Sequence, residues 1–117
     1  MPSQPETHLA CTISELQQSS CFECEILVHG EPVQCFLVYH QAQVYSYINR
    51  CPHTGVNLNW QPHQFLDISE QLIQCATHGA LFRIDNGLCI RGPCLGASLV
   101  PVRHEIVGHK IYLHIDQ

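Results

Sequence analysis

The sequence predicts an all-β protein built from antiparallel strands, and three observations carry that expectation. Only 13% of the 117 residues are charged while 45% are hydrophobic, and Val, Ile and Leu, the residues that suit a pleated, half-buried surface, are frequent. Seven Gly and seven Pro punctuate the chain at short intervals, which suits strands joined by turns. No apolar period near 3.6 residues is sustained long enough for a substantial helix. At this length one domain with a modest core is expected.

Taken in order, residues 1–7 are polar and Pro-rich and carry no element. Residues 8–12 can form an edge strand, and residues 13–16 read as a short turn, too brief and too weakly periodic for a helix. Residues 22–28, 33–40 and 43–48 alternate as strands, with turns at His29-Gly30-Glu31-Pro32 and Gln41-Ala42, which makes an antiparallel meander. Residues 57–70 hold Trp60, Pro62 and several polar residues and read as a long surface excursion. A strand is expected at 71–74 and another at 80–84. Asp85-Asn86-Gly87 supplies a turn with a residue suited to positive φ, and residues 88–90 return. Gly92-Pro93 breaks that strand. Residues 99–115 read as a hairpin turning at Gly108-His109, with Ile111, Leu113 and Ile115 on one face.

The chemistry concentrates between residues 51 and 78. Cys51-Pro52-His53-Thr54-Gly55 stands at one end of this stretch and Cys75-Ala76-Thr77-His78-Gly79 at the other. Each offers one thiolate and one imidazole from a short Gly-containing loop, so bringing the loops together assembles two sulfur and two nitrogen ligands. A lone zinc usually takes Cys pairs and His pairs, each with its own characteristic spacing. Here the pairs are mixed, Cys-x-His and Cys-x-x-His. That suits a two-iron site in which the members of each pair bind different atoms. A zinc clip is the alternative.

At these residues the chain resembles the Rieske-type (2Fe-2S) ferredoxin family, over most of its length. The resemblance implies a Rieske-like fold, an antiparallel β-sandwich base with a small cluster-binding lobe, as one domain. The lobe spans about residues 49–97, and the base comes from 8–48 and 98–116. It implies one 2Fe-2S cluster per chain, with Cys51 and Cys75 on the buried iron and His53 and His78 on the iron nearer the surface. Gly55 and Gly79 match the family's loop glycines. Gly92 and Pro93 match the proline loop that covers the cluster, which puts Cys94 beside it. The insert between His53 and Cys75 is a few residues longer than the family's commonest form. High-potential members carry a disulfide between the loops and a Ser and a Tyr hydroxyl on the cluster sulfurs. Here Val56 and Thr77 stand at the disulfide positions, and Ala80 and Phe82 at the hydroxyl positions, so a low potential for the family is expected.

The implied function is one-electron transfer from a reductase to an oxygenase or other terminal oxidoreductase, with no catalytic residues in the chain itself. The alternatives are a small subunit of a larger oxidoreductase, like that of nitrite reductases, and a metal-binding sensing module. The net charge of −5 disfavours nucleic acid and anionic membranes and favours a basic protein surface. The start of the chain has neither a basic region nor an apolar run. A cytoplasmic monomer or weak oligomer is therefore expected, its cysteines reduced.

Other residues invite weaker readings. Cys21-Phe22-Glu23-Cys24 has redox-motif spacing, yet buried thiols more often serve as small hydrophobes, and Cys11, Cys35 and Cys89 are read that way. His104, His109 and His114 would be scattered over two faces and a turn of the final hairpin. Trp60 and Phe65 are expected to cover the side of the lobe rather than form a docking patch.

Overall fold

The computed structural model describes residues 6–52, 55–59, 61–77 and 79–115. The strands are β1 (Glu6–Thr12), β2 (Cys21–Val28), β3 (Glu31–His40), β4 (Gln43–Ile48), β5 (Leu72–Gln74), β6 (Leu81–Arg83), β7 (Cys89–Arg91), β8 (Arg103–Val107) and β9 (Lys110–Ile115). They form three antiparallel sheets, ordered β1-β9-β8, β2-β3-β4 and β5-β6-β7. The first sheet joins the two ends of the chain, with Glu6 opposite Ile115 and Thr12 opposite Lys110. The fold is nearly all-β, as the sequence predicts.

Strand β3 explains the layering. Its run Cys35-Phe36-Leu37-Val38 is fully buried, unlike the alternation of a strand with one wet face. Successive side chains point to opposite faces, so Phe36 and Val38 enter one core while Cys35 and Leu37 enter another. The first core also holds Cys51, Cys75 and the inward residues of β5, β6 and β7. The second is closed by Cys11, Leu16, Ile111 and Leu113 from the terminal sheet and its helix. Burying Phe36, Leu37 and Val38 contributes roughly 1.5–3 kcal/mol each. The middle sheet is thus a shared wall between a base and the loops that carry the cysteine and histidine motifs.

Three expectations need correction. Residues 13–16 are not a simple turn, because a seven-residue helix, α1 (Ile13–Ser19), follows β1. Thr12 and Glu15 form a capping box, with Thr12 N–H donating to Glu15 Oε1 at 2.9 Å and Glu15 N–H donating to Thr12 Oγ1 at 3.2 Å. Ser20 ends the helix in the left-handed region at φ 67°. Only Leu16 is buried in α1, so the helix shows no apolar period, and the Thr-x-x-Glu pair was its sequence signal.

The turn between β2 and β3 is also tighter than expected. It occupies His29-Gly30, and Glu31 and Pro32 already pair with Val28 and Leu27. Finally, residues 57–70 are not purely a surface excursion. Leu58 and Phe65 are fully buried, Phe65 stacks on Phe36 with ring centroids 4.1 Å apart, and Leu66 bridges to Ile73. Trp60 lies outside the described residues. In the closing segment the hairpin proper is β8 and β9. Residues 100–102 run along β4 instead, through Ile48 N–H to Val100 O and Val102 N–H to Ser46 O, both 2.9 Å.

Candidate metal centre

Two turns of the same construction carry the two cysteines. In the first, Cys51 N–H donates to Val56 O at 2.7 Å and Gly55 N–H donates to Cys51 O at 2.8 Å. In the second, Cys75 N–H donates to Ala80 O at 2.9 Å and Gly79 N–H donates to Cys75 O at 2.8 Å. The repeat is residue for residue, Cys to i+5 and i+4 back to Cys. It needs positive φ at the fifth residue, and Gly55 and Gly79 supply it at 80° and 70°, where a side chain would be strained. Both thiols are fully buried in the same core. His53 and His78, expected as the nitrogen donors, lie outside the described residues. Among the described residues no three of His, Cys, Asp or Glu gather into a metal site.

A third loop closes over these turns. A Cβ on Gly92 would stand 2.8 Å from Ala80 Cα, so the loop backbone lies against the end of the second turn. Two residues on, Cys94 is buried in the same core as Cys51 and Cys75. Burial pushes the Cys94 thiol up to about 12, and its hydrogen bond to Cys89 adds to the shift. Gly92 therefore lies against the second cysteine turn, and Cys94 enters the core that holds both cysteines.

The model of the Rieske [2Fe-2S] domain matches residues 6–104. The chain belongs to the Rieske [2Fe-2S] domain family. Among solved structures, it superposes on the ferredoxin of carbazole 1,9a-dioxygenase from Nocardioides aromaticivorans IC177 with a TM-score of 0.70 at 19% identity, covering 97% of this chain and 100% of that one. A chain in a complex of reduced oxygenase and oxidized ferredoxin in carbazole 1,9a-dioxygenase gives 0.70 at 18% identity, with 92% of each chain covered. The terminal oxygenase of carbazole 1,9a-dioxygenase from Novosphingobium sp. KA1 gives 0.70 at 22% identity, covering 96% of this chain and 30% of that one. These likenesses establish the Rieske fold. No curated protein matches the chain.

The donor chemistry fits the cluster this family implies, since two fully buried thiols stand on matched turns inside one core. A platform under the first turn, which the sequence did not announce, fixes how the two turns sit. Asn49, 2% exposed, accepts from Leu58 N–H at 2.7 Å and donates to Asn59 Oδ1 at 2.8 Å. The Glu23 carboxylate accepts from Asn59 Nδ2 at 3.1 Å and from Asn49 Nδ2 at 3.3 Å. Leu58 O then accepts from Ala76 N–H at 2.7 Å. The path Asn49–Leu58–Ala76 ties the entry of the first turn to the body of the second. Two Asn and a Glu far apart in sequence give no local signal for such a network.

The remaining candidates in the Rieske domain separate cleanly. Cys21 and Cys24 pack into different cores across β2, so their spacing does not make a redox pair. Burial raises them to about 11 and about 12, and it raises Cys11 and Cys35 to about 12 and about 11. Each packs among apolar neighbours as a small hydrophobe. His114 Nε2 lies 2.9 Å from Glu105 Oε2, and His104 lies 3.4 Å from Ser46 Oγ. His104 and His114 thus sit in separate local contacts.

Proposed function

We propose that this Rieske domain is a one-electron carrier that takes electrons from a reductase and hands them to an oxygenase or other terminal oxidoreductase. The observation that carries the reading is the pair of turns, closed by the same two hydrogen bonds, that present fully buried Cys51 and Cys75, within a chain of this family. Cys51 and Cys75 would hold one iron and His53 and His78 the other. Bound there, a 2Fe-2S cluster supplies one-electron chemistry at a potential set by its surroundings. The chain's own work is to exclude water from the thiolates, which the fully buried core around Cys51 and Cys75 does, and to hold both turns in register through Asn49 and Leu58. We take residues 49–97 as the cluster lobe and residues 8–48 and 98–116 as its base.

The partner reading is supported by the match to a dioxygenase ferredoxin along that chain's whole length, whereas the chain spans 30% of the matched oxygenase. A net charge of −5 favours a basic docking face, with association weakening as salt rises. No helix among the described residues is long and apolar enough to cross a membrane, and we place the carrier in the cytoplasm.

Metal and acid-labile sulfide analysis of the purified chain tests the reading, with about two of each per chain expected for a 2Fe-2S centre. Cys51→Ser and Cys75→Ser should each come out colourless, because a hydroxyl is a poor substitute for thiolate at iron. Stoichiometric zinc, or a serine variant with full iron, full sulfide and an unchanged visible spectrum, would overturn the assignment.

A further inference from the structure

We propose that Cys89 and Cys94 form a reversible disulfide, a thiol site distinct from the proposed iron ligands that locks the covering loop. Their sulfurs are 3.2 Å apart, with the Cys94 thiol donating to Cys89 Sγ, while the Cys89 thiol donates to Arg91 O at 3.2 Å. A disulfide needs the sulfurs at roughly 2.05 Å, so an approach of about 1 Å completes it. The backbone is already closed around the pair. Cys89 N–H donates to Ala97 O at 2.8 Å, Gly96 N–H donates to Cys89 O at 3.1 Å, and Ala97 N–H donates to Cys94 O at 2.8 Å. Cys94 is 7% exposed against 1% for Cys89, beneath a loop whose next residue, Leu95, is 68% exposed. Cys94 is thus the less buried of the two residues and the one next to the exposed part of the loop.

The oxidant is a low-molecular-weight disulfide. The Cys94 thiolate attacks one of its sulfurs, forming a mixed disulfide and expelling one thiolate. The Cys89 thiolate then attacks the Cys94 sulfur, the protein disulfide forms, and the second small thiolate leaves. The two protein thiols lose two electrons and two protons, and the small disulfide is reduced to two thiols. The product ties β7 to the loop whose Gly92 lies on Ala80 and whose Cys94 enters the core of Cys51 and Cys75, so the loop over the second cysteine turn can no longer lift.

The test incubates the purified full-length chain in glutathione disulfide, alkylates it in acid-quenched denaturant and digests it with trypsin. Cys89 and Cys94 fall on separate peptides, residues 84–91 and 92–103, because Arg91 lies between them. The expected result is a linked peptide joining these two, absent from Cys94→Ser and from Cys89→Ala and reversed by dithiothreitol. Iron loss to a chelator should then slow several-fold on oxidation in the wild type and stay unchanged in either variant. Full alkylation of both peptides, a Cys94 mixed disulfide that never resolves, or a link from Cys94 to Cys51 would each overturn the proposal. So would a chelation rate that oxidation leaves unmoved. The peptide readout needs no iron signal, so failure of the cross-link and failure of the carrier reading are separately visible.

Discussion

At the scale of single residues, what this chain lacks is as telling as what it has. Ala80 and Phe82 are both fully buried beside the second cysteine turn, and neither carries a hydroxyl. By the family resemblance these are the positions from which a Ser and a Tyr would donate to the cluster sulfurs. Such donors disperse sulfur charge and favour the reduced, more negative state, so their absence lowers the potential. The net charge of −5 acts in the same direction, weakly, because salt screens it. Voltammetry should therefore place the wild type in the lower part of the Rieske range of roughly −150 to +300 mV. Ala80→Ser and Phe82→Tyr should each raise the potential, and the double variant should raise it further. A wild-type value near the top of the range, or variants whose hydroxyls bond sulfur without moving the potential, would contradict this. The two cysteine turns were legible from sequence because each motif is contiguous and ends in a glycine whose positive φ the turn requires. Asn49 was not, because its partners Glu23, Leu58 and Asn59 come together only in the fold.

At the scale of elements, the strands of the middle sheet were readable because alternating apolar residues are interrupted at two short turns, His29-Gly30 and Gln41-Ala42. β4 falls on the expected residues and its neighbours within two. The helix α1 was not, because one buried Leu16 cannot produce a period and its stability rests on caps at both ends. Residues 57–70 misled for the opposite reason, since their polar composition hides Leu58 and Phe65, the two residues that pack inward. The glycines allow a sharper comparison. Gly92 has φ 108° and its added Cβ would meet Ala80 Cα at 2.8 Å, whereas Gly79 has φ 70° with nothing within 4 Å of its added Cβ. Gly79→Ala should cost only the left-handed penalty, roughly 1–2 kcal/mol. Gly92→Ala adds a backbone clash that pushes the covering loop off the second turn. Chemical denaturation should show both variants destabilised, and iron release to a chelator should be accelerated clearly more by Gly92→Ala. Equal release rates would mean that the loop does not shield the site.

At the scale of the whole molecule, one strand divides two jobs. β3 sends Phe36 into the core that holds Cys51 and Cys75, where it stacks on Phe65, and sends Leu37 into the core of the terminal sheet. Both side chains are fully buried and adjacent in sequence, so truncating either should be severe, about 3–5 kcal/mol for Phe36→Ala and about 2–5 kcal/mol for Leu37→Ala. Their effects on the site should nevertheless differ. A cavity at Phe36 opens beside Phe65 and Tyr47, on the side of the wall that supports both cysteine turns, so the visible circular dichroism of the iron centre should change and iron should be lost faster. A cavity at Leu37 opens against the terminal sheet, and the molecules that remain folded should keep the wild-type spectrum and potential. Stability measured by denaturant, spectrum and chelation rate, taken together on the two variants, separates the alternatives. If Leu37→Ala disturbs the iron spectrum as much as Phe36→Ala does, the middle sheet is not a wall between a supporting base and a cluster lobe, and the two cores act as one.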